Sequence, residues 1–173
     1  DKGIEYLIEA VRLSEKNGNK IKLLIAGSRN AVGENLYSKK INRLIDVSDI
    51  DAEFMGEINP ERMIDYYRKI DLLVLPSVNR TEAFGMVQAE AMLSGVPVVA
   101  SDLPGVRALV SLTGGGIIVK PRDAGALSEA IYSCQEKKIN RLELAKKAAH
   151  IFNPEKTFSA YAEVFRQTKN WNA

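Results

Sequence analysis

The residues best placed to do chemistry lie in one run, Pro76-Ser77-Val78-Asn79-Arg80-Thr81-Glu82-Ala83-Phe84-Gly85-Met86-Val87-Gln88-Ala89-Glu90-Ala91. Two carboxylates, Glu82 and Glu90, stand eight residues apart in it, on either side of a glycine. Gly85 reads as the start of a helix over 85–94. The backbone N–H groups of Phe84, Gly85, Met86 and Val87 then point out of that helix end, which suits an anion such as a phosphate. Glu90 falls about one and a half turns inside, and helical side chains lean back toward the N-terminus. Its carboxylate is therefore in reach of the same ligand and can accept hydrogen bonds from a vicinal diol, as a ribose offers. Glu82, ahead of the helix, is placed to touch another part of that ligand.

Other groups carry weaker chemistry. Asp49-Ile50-Asp51 has the look of a metal-holding aspartate pair, but it precedes an edge strand instead of following a central one, so no metal site is expected. His150, near a helix C-terminus with Lys146 and Lys147, suits the dipole there better than catalysis. Gly114-Gly115-Gly116 lacks the downstream lysine of a P-loop and reads as a flexible turn. The basic run Lys137-Lys138, Arg141 and Lys146-Lys147 reads as a solvated face, with anionic lipid as the alternative. The single cysteine, Cys134, excludes an internal disulfide. It shares a helix face with Ala126, Ala130 and Ile131 and is expected in the core.

The elements that must position these residues follow from apolar spacing. Four short continuous runs, 21–26, 72–75, 97–100 and 116–119, read as strands covered on both faces, with a weaker fifth at 52–55. Helical patterns separate them. Ile4, Leu7, Ile8 and Val11 share one face, and Asn59-Pro60-Glu61 reads as an N-cap, a first-turn proline and an acid opening a helix to about Tyr67. Further helices are expected at 123–136, 140–150 and 154–169. The last carries Phe158, Tyr161, Ala162 and Phe165 as an apolar stripe, expected to lie exposed or against a second copy. This alternation predicts an α/β fold with a doubly wound, mostly parallel sheet and helices on both faces. Such sheets bind ligands at the carboxyl ends of their strands, here the loops after Ala26, Met55, Leu75 and Ala100.

Composition bounds the answer. A chain of 173 residues with 46% hydrophobic and 27% charged residues is one ordinary globular domain. A net charge of +2 argues against a nucleic-acid partner. No apolar run approaches the ~18 residues of a membrane span and no signal peptide opens the chain, so a cytoplasmic place is expected.

Glu82 and Glu90 with Phe84-Gly85 between them resemble the E-x-F-G-x4-E signature of family-four retaining glycosyltransferases, whose GT-B fold has two domains. Leu24-Ile25-Ala26-Gly27 resembles that family's strand ending in glycine. Phe54-Met55-Gly56-Glu57-Ile58 resembles its F-x-G-x-V segment, and residues 71–77 its D-x-x-V-L-P-S strand. Ser94-Gly95-Val96-Pro97-Val98-Val99-Ala100-Ser101 and Gly116-Ile117-Ile118-Val119 follow in order, so nearly the whole chain is covered. The resemblance implies the donor-binding half: residues 1–152 as a nucleotide-sugar-binding domain, 153–173 as its terminal helix and tail, and the N-terminal acceptor domain absent. It implies that Glu90 binds the ribose hydroxyls. Glu82 with the backbone of Phe84, Gly85 and Met86 would hold the transferred sugar, with Glu82 as a candidate to stabilise its cationic form. Ile58 would edge the base, and Gly27 would let the backbone approach the nucleotide. Lys2 matches the lysine of a K-G pair that neutralises the departing diphosphate. No cofactor or essential metal is implied. The partners implied are a nucleotide-sugar, the acceptor domain, and a lipid-linked acceptor at the inner face of a membrane, in polysaccharide or glycoconjugate synthesis.

The sequence departs from that pattern at three places. The family's diphosphate-binding arginine belongs to a strand this sequence lacks, central in the sheet beside 21–26 and 72–75. Either a stretch upstream of this sequence is expected to fill that place, or the sheet is expected to close up or borrow a strand. Ala108 stands where a glutamate is usual. Four residues separate Ser77 from Glu82, where many members have two. By itself the chain is expected to bind donor and transfer nothing. The alternatives are a stand-alone nucleotide-sugar-binding module, or an epimerase or phosphorylase on the same fold.

Overall fold

The computed structural model describes residues 2–27, 35–137 and 139–169, so Lys138 of the basic run lies outside the described residues. Among the described residues five short parallel strands alternate with helices: β1 (Leu23–Ala26), β2 (Ala52–Gly56), β3 (Leu73–Leu75), β4 (Val98–Ser101) and β5 (Gly116–Val119). The helices are α1 (Ile4–Lys16), α2 (Asn35–Ser48), α3 (Met63–Lys69), α4 (Met86–Leu93), α5 (Arg107–Thr113), α6 (Ala124–Glu136), α7 (Arg141–Ile151) and α8 (Pro154–Lys169). This is the α/β architecture that the alternation predicts, with every ladder parallel.

The sheet is divided. β1 pairs with β2, β4 lies between β3 and β5, and no ladder joins β1 to β3 among the described residues. A cavity of about 1180 Å³ runs between them, lined by Leu23, Leu24 and Ile25 on one side and Leu73, Val74 and Leu75 on the other. Of the expected outcomes, closing up of the sheet is not seen among the described residues. Side by side the strands follow the doubly wound order with its central place left to the cavity.

Two apolar layers cover the strands. Val99 and Val119 face α1 and α6 with Leu7, Ile8, Leu127 and Ile131, while Val98 and Ala100 face Tyr67, Met92, Val106 and Leu144. Alternate residues of β4 thus serve opposite layers, and all four are buried. Cys134 is buried in the first layer, where loss of solvent pushes its thiol pKa up.

Capping sets the helix starts. Asn59 accepts the N–H of Glu61 ahead of a single 3-10 turn, Pro60–Arg62, and α3 begins only after it. Asp123 caps α6 through the N–H of Ala126, and Asn140 caps α7 through those of Leu142 and Glu143. Helix α2 has no counterpart in the sequence reading. Ile41 is buried, but Leu36 and Val47 are 85% and 71% exposed, which blurs the apolar period. The Gly114-Gly115-Gly116 segment is a correction. Gly114 takes φ +64 to end α5, and a Cβ on Gly116 would collide with the Val98 carbonyl, so the turn is close-packed instead of flexible. Along α8, Phe158, Tyr161 and Phe165 are exposed.

Candidate functional site

The site is built at the carboxyl end of β3. After Leu75 the chain crosses Pro76, and Gly3 packs onto it at φ +69, where a Cβ would run into the Pro76 carbonyl. Only glycine allows that approach. It carries Lys2 to Glu82: Nζ donates to Oε2 at 2.5 Å across 80 residues of sequence. The Lys2 side chain is 65% exposed and that of Glu82 19%, so the pair shows its cation to solvent and keeps its carboxylate sheltered.

The loop carrying Glu82 is pinned from two sides. Its long approach folds locally, with Asn79 Oδ1 accepting from the N–H and hydroxyl of Thr81. A Cβ on Gly105 would meet the backbone of Ala83. The buried amide of Gln88 donates to the carbonyls of Phe84 and Val106, at 3.3 and 3.0 Å. Gly85 then opens α4 at φ +69, and a Cβ there would come within 2.7 Å of Leu75. The N–H of Gln88 bonds the Gly85 carbonyl, and those of Met86 and Val87 meet no acceptor among the described residues. The helix start therefore leaves bare donors on the cavity that Lys2 and Glu82 also line, with the exposed side chains of Phe84 and Met86 beside them.

Glu90 is exposed on α4, yet one of its oxygens is fixed. The hydroxyl of Tyr67, a residue only 2% exposed on α3, donates to Oε2 at 2.9 Å. Burial first, and then the Glu90 carboxylate, push the Tyr67 phenol well above its ordinary pKa, so it stays a donor. The cavity mouth gathers Lys2, Glu82, Phe84, Gly85, Met86 and Tyr67. Its far end reaches Lys20, Asp71 and Arg141 at the opposite ends of the strands, so its volume is as much the division of the sheet as a ligand cleft.

The remaining sequence-predicted residues lie off this mouth. Gly27 follows β1 at φ +134 and donates its N–H to Gly56 at 2.8 Å, next to a register shift between Ile25 and Ala26. No atom of the described residues lies within 4 Å of where its Cβ would be. Ile58 is half-buried in the loop after β2. Asp51 gives its carbonyl to the N–H of Leu23, and no group of three or more metal-ligating side chains occurs among the described residues. Sequence reasoning missed Tyr67 and Gln88 as site residues. The signal for Gln88 was a polar residue inside an apolar helix; Tyr67 gave none beyond its place in the α3 period.

Fold and site together define a class: a parallel α/β domain with the architecture of the C-terminal half of a GT-B glycosyltransferase. The chain belongs to the family Glycosyl transferases group 1, which it matches over residues 1–151. It is 33% identical over 131 residues to an uncharacterized glycosyltransferase of Methanocaldococcus jannaschii, covering 73% of this chain and 31% of that one. It is 31% identical to the lipopolysaccharide 1,2-N-acetylglucosaminetransferase of Salmonella typhimurium, covering 99% of this chain and 46% of that one. The chain thus spans less than half the length of these relatives. Among solved structures, Anabaena HepE in complex with UDP-glucose superposes with a TM-score of 0.77 at 24% identity, covering 96% of this chain and 45% of that one.

Proposed function

We propose that the chain is the nucleotide-sugar donor domain of a retaining glycosyltransferase that builds a polysaccharide or glycoconjugate. The observation that carries this reading is the meeting of Lys2, Glu82 and the bare start of α4 at one cavity mouth. The diphosphate lies on the Met86 and Val87 N–H groups and takes Lys2 from Glu82. Glu90 accepts the ribose hydroxyls, and the base lies toward Gly27 and Ile58. Glu82 with the 84–86 backbone holds the sugar, and its carboxylate faces the cationic character that develops as the glycosidic bond breaks. Catalysis on this plan is positioning and charge stabilisation, with no metal required.

The reading is tested by calorimetric titration of UDP, GDP and ADP into the domain, with and without a chelator. One of them should bind, and binding should survive chelation. No binding by any of the three, or a magnesium-restorable loss, would overturn it. The domain alone should transfer no sugar, because the acceptor surface belongs to the other half of a GT-B enzyme; turnover above background would show that it is complete.

A further inference from the structure

We propose that Tyr67 is a positioning residue for the ribose, holding the Glu90 carboxylate in the orientation that takes both hydroxyls of a cis-diol. This inference rests on the donor-site reading and deepens it. Glu90 stands on the exposed side of α4, where an unrestrained glutamate would sample many rotamers and lose that freedom on meeting a ligand. Its Oε2 is instead tied at 2.9 Å to a hydroxyl whose ring is buried against the second apolar layer and edge-on to Tyr66, with centroids 5.6 Å apart. A phenol held protonated in this way offers the carboxylate a proton and nothing else. A carboxylate has about four lone-pair directions, so one bond to Tyr67 leaves Oε1 and the outer side of Oε2 for two further donors. Two vicinal hydroxyls of a ribose supply two such donors; a 2′-deoxyribose supplies one. No other hydrogen bond to the Glu90 carboxylate is present among the described residues, so the tyrosine is the one group there that orients it.

The test uses Tyr67→Phe, which keeps the buried ring and removes only the hydroxyl. Binding is measured for whichever of UDP, GDP and ADP the wild type takes, together with its 2′-deoxy form. The wild type should prefer the ribonucleotide. In Tyr67→Phe the ribonucleotide should weaken roughly fivefold and the deoxy form less than about twofold, collapsing the preference. In a Glu90→Ala background, adding Tyr67→Phe should change neither affinity. Equal weakening of both nucleotides, or further weakening in the Glu90→Ala background, would mean that Tyr67 merely supports the fold and would overturn the inference. Should Tyr67→Phe alone prove insoluble, the Glu90→Ala arm still decides: an unaltered ribose preference there would remove the carboxylate that Tyr67 is held to position. Failure of every nucleotide to bind the wild type would overturn the donor-site reading itself, a result distinct from the others.

Discussion

The ladder β3–β4–β5 and the ladder β1–β2 arise from the same alternation of strand and helix, yet they use glycine for opposite reasons. On the first, Gly105 and Gly116 sit where a Cβ would strike the backbone of Ala83 or Val98. On the second, Gly27 and Gly56 have no described residue within 4 Å of a would-be Cβ and are required by their positive φ, +134 and +69. Burial divides the same way. β4 is wholly buried, while β2 alternates half-buried and exposed residues. The packed ladder leads into Glu82, Glu90 and the start of α4, the groups that the proposed donor site uses. The open one ends in a backbone pairing of its two glycines, the N–H of Gly27 on the carbonyl of Gly56 at 2.8 Å. Substitutions that exchange these two uses of glycine test the comparison most directly.

Gly116→Val should have the largest effect. The side chain would enter the β4–β5 ladder against main chain that has nowhere to go, costing about 3 kcal/mol or more. Urea unfolding should show this as a strongly lowered midpoint or as insoluble protein. A midpoint near wild type would mean that the packed ladder is not packed. Glu90→Ala comes next. It leaves the fold intact and removes charge-assisted bonds worth on the order of 1.5–3 kcal/mol, so nucleoside diphosphate affinity should fall at least about tenfold. Unchanged affinity in a calorimetric titration would sink the ribose role of this residue.

The packed ladder is also the part that could be read from sequence. Continuous apolar runs at 72–75, 97–100 and 116–119 mark strands covered on both faces, and Gly85 between two glutamates marks the helix start. Strand boundaries fall within about two residues of the apolar runs, the usual fraying of such assignments. The open half was harder to read. Its second strand alternates exposed residues, and α2 turns Leu36 and Val47 outward, so neither has a clean period. What the sequence hides within the site is long-range contact. Tyr67 meets Glu90 across 23 residues and Lys2 meets Glu82 across 80, and no local pattern encodes either meeting. The Lys2–Glu82 approach depends on Gly3 against Pro76, a fact about two backbones and not about either side chain.

Gly27→Ala should cost less stability than Gly116→Val. No atom of the described residues blocks the new methyl, so the expected penalty is the strain of holding an L-residue at φ +134, about 1–2 kcal/mol. Stability should fall by that amount while nucleotide binding falls with it if the backbone here touches the ligand. A loss of stability as large as that of Gly116→Val would show that the two ladders are packed alike, erasing the comparison.

The smallest effect concerns how the open half is held. Helix α2 is tied to α1 by polar contacts at its rim: the hydroxyl of Tyr37 donates to Glu5 at 2.7 Å, and Lys40 Nζ lies 3.2 Å from the same carboxylate. Partial burial acts to raise the Glu5 pKa, but the Tyr37 bond, its own backbone N–H and Lys40 outweigh it, and the net shift is downward from 4.5. A carboxyl whose pKa is lower in the folded chain adds stability above its unfolded value. That increment disappears as pH falls through the lowered folded value. The contacts are partly exposed and screened, so Glu5→Gln should cost only about 0.5 kcal/mol at neutral pH. The difference from wild type should shrink to nothing in acid, where the native carboxyl is itself neutral. Urea melts of both proteins at pH 7 and at successively lower pH make the comparison. A difference that persists unchanged into acid would mean that Glu5 acts through its shape and not its charge. The open half would then be held by packing, as the other half is.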